Sequence, residues 1–350
     1  MPFVEILTGD GLTVEAWDAS LFSEYVQMLW WKNLMGTSAS SIIQIKDDLT
    51  KKAGDAITIG LRGLMQGGKV TGRAKGIGNE GTVSFFNRRI VIDNVRHLIK
   101  FEDVSMTKQR VAFNVLKEGK EALSQKSQQD LDDEITIELS DTSAGRVQGR
   151  YLYGALDSNY DTTEATALAT VDATDDMLTT NMIDIAKRKA LRPLNATAKV
   201  RPMRVKSGKN FEEWFTFVGS PLAIRDMVEN DAAWRNAQLN IPPQSNSASP
   251  IYTGSSFKGS WNGTLIYEYE SIFLVTNTNS VQLAHNLFLG AQAAAVVWGQ
   301  RSKFGEEESD LGHDVTFETH EIRGVNKLVF NRATAEDQGV IHVYSAAVND

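Results

Sequence analysis

The sequence contains no cysteine. That single absence removes disulfide frameworks, thiolate metal sites, iron–sulfur clusters and a cysteine nucleophile, and it predicts a chain that folds alike in reducing and oxidising surroundings. Histidine is scarce, five in 350 residues. None of His97, His285, His313, His320 and His342 forms an H-x-x-x-H or H-E-x-x-H pair, so a helix-borne zinc site has no candidate. Residues 1–18 hold Glu5, Asp10, Glu15 and Asp18 but no Lys or Arg, which is unlike the basic start of a signal peptide. Long apolar runs are missing too. Residues 271–300 lack Asp, Glu, Lys and Arg, yet Asn277, Asn279, Gln282, His285, Asn286 and Gln292 interrupt them. The apolar part, 287–298, is 12 residues long, short of the ~20 of a membrane span. It predicts a buried strand followed by a buried helix over 287–298, in a soluble chain. Nucleophile elbows and phosphate-binding loops are absent. The carboxylate pairs Asp132/Asp133 and Glu306/Glu307 fall in polar runs, where solvated charge is the ordinary reading.

A hydrophobic share of 42% with 23% charged residues fits a globular protein, and the length allows one large domain or two ordinary ones. The net charge is −8, but the positives are unevenly placed. Between 187 and 209 lie Lys187, Arg188, Lys189, Arg192, Lys199, Arg201, Arg204, Lys206 and Lys209, with no acid among them. Such a segment in an acidic chain suggests contact with an anionic surface, either nucleic acid or a neighbouring copy, against the plainer reading of a solvated face.

Residues 1–53 predict an arm with one or two helices, the clearest over 20–35, whose Phe22, Tyr25, Trp30 and Trp31 need a partner surface. Ile57, Ile59 and Leu61 then alternate with Thr58 and Gly60 as in a strand. Gly60, Gly63, Gly67, Gly68, Gly72, Gly76, Gly78 and Gly81 put eight glycines in 22 residues, and a returning strand passes through Val83, Phe85 and Ile90. This long hairpin carries Arg62, Lys69, Arg73, Lys75, Arg88, Arg89, Arg96 and Lys100 against Glu80 and Asp93. A two-stranded projection is marginal alone in water, so it is expected to lie on something else. Gly76, Gly78 and Gly81 spell G-x-G-x-x-G, but a strand pattern follows where a dinucleotide site needs a helix, and the motif is rejected.

The period turns helical from Glu102 to Gln129, predicting a helix ~40 Å long. Residues 161–180, with seven Thr, four Ala, four Asp and one Glu, predict an exposed acidic loop, since the Asp spacing does not match a calcium loop. Helices are expected over 181–192 and 221–239, and a polar connection over 240–249. Strands are expected over 211–218, 264–269, 272–276, 327–330 and 340–344. The class is α+β, without βαβ repetition.

Five segments carry a family resemblance: GDAITIGLRGLMQGGKVTG (54–72), IDNVRHLIKFEDVSMTKQRVAFNV (92–115), SPIYTGSSFKGSWNGTLIYE (249–268), HNLFLGAQAAAVVWGQ (285–300) and the pair GVNKLVF and DQGVIHVYSAA within 324–347. With the order of arm, glycine-bearing hairpin, long helix and mixed body, they make the chain resemble tailed-phage major capsid proteins of the N-four-like phage family, with the Hong Kong 97-like fold. The resemblance implies an N-terminal arm (1–53), an extended E-loop (54–92), a peripheral domain (93–220) with a spine helix (102–129), a largely axial domain (221–323) and C-terminal strands (324–350). It implies a non-enzymatic shell protein without cofactor or bound metal, self-assembling as hexamers and pentamers into an icosahedral container for double-stranded DNA. Assembly is expected in the host cytoplasm, with portal and scaffold partners, a possible decoration protein, sequence-blind proximity to DNA and no membrane. An arm starting near residue 1 points to a separate scaffold protein. The E-loop cations Arg62, Lys69, Arg73, Lys75, Arg88 and Arg89 are expected to meet acidic surfaces of a neighbouring subunit. Arg188, Lys189, Arg192, Arg201 and Arg204 are expected between capsomers or at the lumen; the first is preferred, because a basic lining would hinder genome release. Two rivals remain: an encapsulin-like nanocompartment shell, and an enzyme with an unrecognised carboxylate site.

Overall fold

The computed structural model describes residues 29–47, 54–73, 75–110, 114–143, 145–147, 149–154, 156, 159–161, 163–172, 176–192, 199–207, 210–239, 256–277 and 279–347. A 3-10 turn, Trp30–Leu34, leads to β1 (Met35–Gly36) and β2 (Ile43–Lys46). β3 (Ala56–Arg62) and β4 (Phe85–Val91) form an antiparallel ribbon, followed by β5 (Asp93–Phe101). Helices α1 (Val104–Arg110) and α2 (Val115–Ser140) come next, then β6 (Tyr151–Tyr153), β7 (Tyr160–Asp161), α3 (Glu164–Thr170) and α4 (Thr180–Leu191). β8 (Met203–Ser207) and β9 (Asn210–Gly219) precede α5 (Pro221–Asn230) and α6 (Ala232–Leu239). The remaining strands are β10 (Phe257–Trp261), β11 (Thr264–Glu268), β12 (Leu274–Thr276), β13 (Gln282–Leu289), β14 (Ala294–Ser309), β15 (Asp314–Lys327) and β16 (Val340–Ala346).

The chain divides into two compact units. The smaller comprises 1–29, 94–131 and 302–321; its described core joins Val104, Leu123, Val315 and Phe317 to Ile99, Phe101 and Leu116. Gly119 lets the Phe101 ring press on α2, since a Cβ there would lie 2.5 Å from the ring. The larger unit comprises 30–93, 132–301 and 322–350. Its main sheet runs β10-β11-β9-β13-β16-β6-β7, with β12 on β13 and β8 on β9. Phe217, Phe288, Ile341 and Val343 of that sheet pack with Ile183 of α4 and Ile224 of α5.

The expected helix over 102–129 is two helices. Asn114 interrupts it: its side chain accepts from the Lys117 N–H (3.2 Å), as a helix-starting cap does. α2 then runs eleven residues past the expected end. Its buried stripe, residues 119, 123, 127, 131, 135 and 139, includes the polar Ser127, and Asp132 and Thr136 are buried beside it, so apolar periodicity alone understated it. The helix expected over 287–298 is also absent. Leu287–Leu289 end β13, a turn with Gln292 at φ 61° follows, and β14 begins at Ala294. Residues 293–297 are all buried, and a strand covered on both faces shows no alternation. The expected loop at 161–180 contains α3 and buries Ala167, Val171 and Leu178. The 221–239 segment is two helices, broken at Asp231. The expected helix at 20–35 lies mostly outside the described residues, as does the connection at 240–249.

Two polar clusters are built into the larger unit. Asp132 Oδ1 accepts the main-chain N–H groups of Trp30 (2.9 Å) and Trp31 (3.1 Å), and Oδ2 accepts the Tyr269 hydroxyl (2.7 Å). Trp31 Nε1 donates to Thr136 Oγ1 (2.8 Å). One buried carboxylate thus ties the tryptophan turn to α2 and to the chain after β11. Asp132→Ala leaves three donors unpaired and is expected to destabilise the dissociated subunit by about 3 kcal/mol, and Asp132→Asn by about 1 kcal/mol, read by denaturant titration of tryptophan fluorescence.

The second cluster is deeper. His342 Nδ1 lies 2.7 Å from His285 Nε2, while His342 Nε2 faces Lys327 Nζ (3.2 Å), Arg146 Nη1 (3.1 Å) and Asp337 Oδ2 (3.1 Å). Nε2 thus sits among two permanent donors, Lys327 and Arg146, and one carboxylate acceptor, Asp337. Tyr151 stacks on His342 and Tyr344 on His285. Burial, then the Lys327 charge, pushes His342 down to about 3. Burial, then His342, holds His285 well below its ordinary value. Burial works against the Asp337 carboxylate, but Lys327 and His342 outweigh it and hold that group low. Unfolded histidines titrate near 6.5, so between about pH 6.5 and 3 the unfolded chain binds protons that the folded chain refuses. Stability is therefore expected to fall below pH 6.5, by up to ~1.4 kcal/mol per pH unit for each histidine. Denaturation midpoints unchanged between pH 7 and 4.5 would contradict this.

Candidate subunit interface

The β3–β4 ribbon pairs in register from Ala56↔Val91 to Arg62↔Phe85. Alternation puts Ile57, Ile59, Leu61, Phe86 and Ile90 on one face, where they pack with Ala295, Val297, Leu328 and Phe330 of the same chain. The approach is close: a Cβ on Gly324 would meet the Val91 carbonyl oxygen at 2.1 Å. The expectation that the hairpin has no core with its own body is corrected for this base half, because its apolar face is long enough to bury.

Beyond Arg62 and Phe85 the packing stops. The arms stay together through main-chain bonds from Gly63 to Ser84 (2.8 Å) and between Gln66 and Thr82 (2.8 Å each way). They touch at two glycines: a Cβ on Gly67, whose φ is +139°, would sit 2.7 Å from Gly81 Cα. Leu64 is 91% exposed and Ile77 89%, with Met65 and Phe85 also largely in solvent. The surrounding Arg62, Lys69, Arg73 and Lys75 are exposed. The lone acid of this segment, Glu80, accepts the Gly78 N–H (2.8 Å), which holds its carboxyl below the usual range. Thr82 after Gly81 bridges back to Gln66, and no helix follows. Among the described residues, the tip therefore presents exposed apolar side chains among cations. Such a patch marks a contact surface.

The other two hairpin cations sit on the base. Arg88 donates from Nε to Asn326 Oδ1 (2.9 Å) of its own chain, and Arg89 pairs with Asp55 (3.0 Å) in solvent. The second group divides as well. Lys189 is buried with its ammonium 5.5 Å from the Tyr160 ring centre, while Arg188 and Arg192 are exposed at the end of α4. Arg201 donates to Gln292 (3.3 Å), and Arg204 pairs with Glu213 (3.0 Å). Lys209 lies outside the described residues. Sequence reasoning named the cations of the tip and missed its apolar residues, although Leu64, Met65 and Ile77 stand out among the glycines. Among the described residues, no group of three or more His, Asp or Glu could hold a metal ion.

The family model described as phage capsid protein matches residues 5–349. The chain belongs to the phage capsid protein family. Solved structures agree on the fold. The chain is similar to the cyanophage Pam1 capsid subunit (22% identity, TM-score 0.83, covering 99% of this chain and 100% of that one). It is similar to the capsid of Ralstonia phage GP4 (23%, 0.77, 99% of each) and to the acid-stable capsid of Helicobacter pylori bacteriophage KHP30 (11%, 0.70, 96% and 95%). No curated sequence matches the chain. The fold is thus the α+β, Hong Kong 97-like fold of phage capsids, and the protein is a structural component of the virion shell.

Within this capsid protein, hairpin cations of the base and the tip differ in what they touch. Arg88→Ala is expected to lower subunit stability by about 1–2 kcal/mol, whereas Arg62→Ala and Arg73→Ala stay within ~0.5 kcal/mol. Denaturant titration of the dissociated subunit checks both.

Proposed function

We propose that this protein is the major capsid protein of a tailed phage and closes hexamers and pentamers into an icosahedral shell around double-stranded DNA. The observation that carries this reading is the exposed apolar and cationic hairpin tip, in a chain with the phage capsid fold. Fully burying a large apolar side chain contributes about 1.5–3 kcal/mol, so Leu64, Met65, Ile77 and Phe85 offer roughly 6–12 kcal/mol. Association costs ~4–15 kcal/mol. One hairpin contact barely holds a pair together, but a ring gives every subunit two such contacts and closes. Marginal single contacts suit a shell that must correct itself while it grows.

In this reading the tip cations Arg62, Lys69, Arg73 and Lys75 face acidic surface of the next subunit, and Arg188, Arg192 and Arg201 lie between capsomers. Contact with packaged DNA is electrostatic and blind to sequence. Assembly takes place in the host cytoplasm with portal and scaffold proteins and, in some shells, a decoration protein. The shell performs no bond-making chemistry. A nanocompartment would share the fold, and the contents of purified particles, DNA or protein, separate the two.

Negative-stain microscopy of the expressed protein is expected to show closed shells or capsomers. Arg73→Glu/Lys75→Glu is expected to lower particle yield and to make surviving shells dissociate at lower salt, because exposed charge pairs are screened by salt. Unchanged assembly and salt resistance would remove these cations from the interface.

A further inference from the structure

The larger unit carries an open cleft of about 500 Å³ where α2 ends, bordered by β12 and Glu164 of α3. Its volume falls in the ~300–1,000 Å³ range of ligand sites. Exposed Ile137, Phe273 and Leu274 give it apolar surface, and Glu138, Asp141 and Glu164 give it carboxylates.

Three observations indicate which charge it suits. The last carbonyl groups of α2 end at the cleft, and a helix C-terminus favours a cation. Ser140 is 7% exposed, lines the cleft, and its Oγ has no hydrogen-bond partner; a buried hydroxyl in that state is suited to a donor from outside. Burial pushes the Glu138 carboxyl up, against the Lys327 main-chain N–H that it accepts (3.2 Å). Lys327 and Arg146 bond the Asp141 main-chain oxygen but do not line the cleft.

We propose that this cleft receives a lysine or arginine from the hairpin tip of a second copy. The aliphatic stem lies along Phe273 and Leu274, and the charged end reaches Ser140 and the carboxylates. The long stems of these side chains cover apolar surface while the head stays polar, which matches a cleft that is both apolar and acidic. The tip supplies the complement: Lys69, Arg73 and Lys75 are exposed with apolar Val70 and Ile77 among them. The proposal rests on the reading that the tip covers another subunit, and adds the place where it lands.

A cysteine-free chain makes the test clean, because one introduced thiol is unique. Thr71→Cys keeps every tip cation; Val70→Cys is the independent second variant. The thiol is labelled with benzophenone maleimide, and the subunits are assembled with nitrogen-15-labelled partners, irradiated and mapped by mass spectrometry. The expected result is a cross-link to residues 137–143 or 273–275 of the other copy, lost when that copy carries Thr142→Arg, which puts its own cation at the cleft. A cross-link to a different surface of the other copy, or one undiminished by Thr142→Arg, overturns the cleft assignment and leaves the tip-to-neighbour reading standing. Cross-links confined to the labelled chain, or none in assembled particles, overturn both.

Discussion

The contact of Ile59 and Ile90 with Val297, Leu328 and Phe330 divides the hairpin into a half that is held and a half that is not. The held half sets the direction in which the ribbon leaves the body. The other half keeps its arms together through a few main-chain bonds around Gly67 and Gly81, yet among the described residues Leu64 and Ile77 stay almost fully exposed. Two-stranded ribbons gain little stability without a packed face. The tip is therefore ordered enough to recognise a surface and too exposed to be content in water. In the proposed reading, that combination suits a subunit whose tip is completed by a neighbour.

The body must stay rigid if repeated contacts are to close at a fixed curvature. Its rigidity does not come from apolar packing alone. Asp132 gathers three donors at the tryptophan turn, and the His285–His342 pair with Lys327, Arg146 and Asp337 fills the sheet at β13 and β16. Hydrogen-bonded buried polar groups favour one arrangement, because displaced alternatives leave charges unpaired. They also make the body sensitive to acid, since the two buried imidazoles resist protonation while unfolded ones do not.

Much of this was legible in the residues. Alternation at Ile57–Leu61 and the aromatic run Phe211–Val218 marked real strands, and glycine density marked the tip. The legible part is local. The errors arose where a distant element decides. Asn114 splits a helical period because its side chain caps the helix that follows. Residues 293–297 looked helical because neighbouring layers bury them on all sides. Lys189 read as surface charge, but the Tyr160 ring covers its ammonium. For the interface, charge was visible in the sequence while exposure was not. Leu64, Met65 and Ile77 have the composition of core residues, and only the structure shows them exposed among the described residues.

Hydrogen–deuterium exchange of residues 63–84, compared between the dissociated subunit and assembled particles, tests the central claim most directly. The account expects fast exchange across this segment in the subunit and strong protection in the particle, with the base strands β3 and β4 protected in both. Equal exchange of the tip in the two states would contradict it, since the tip would then gain no partner on assembly.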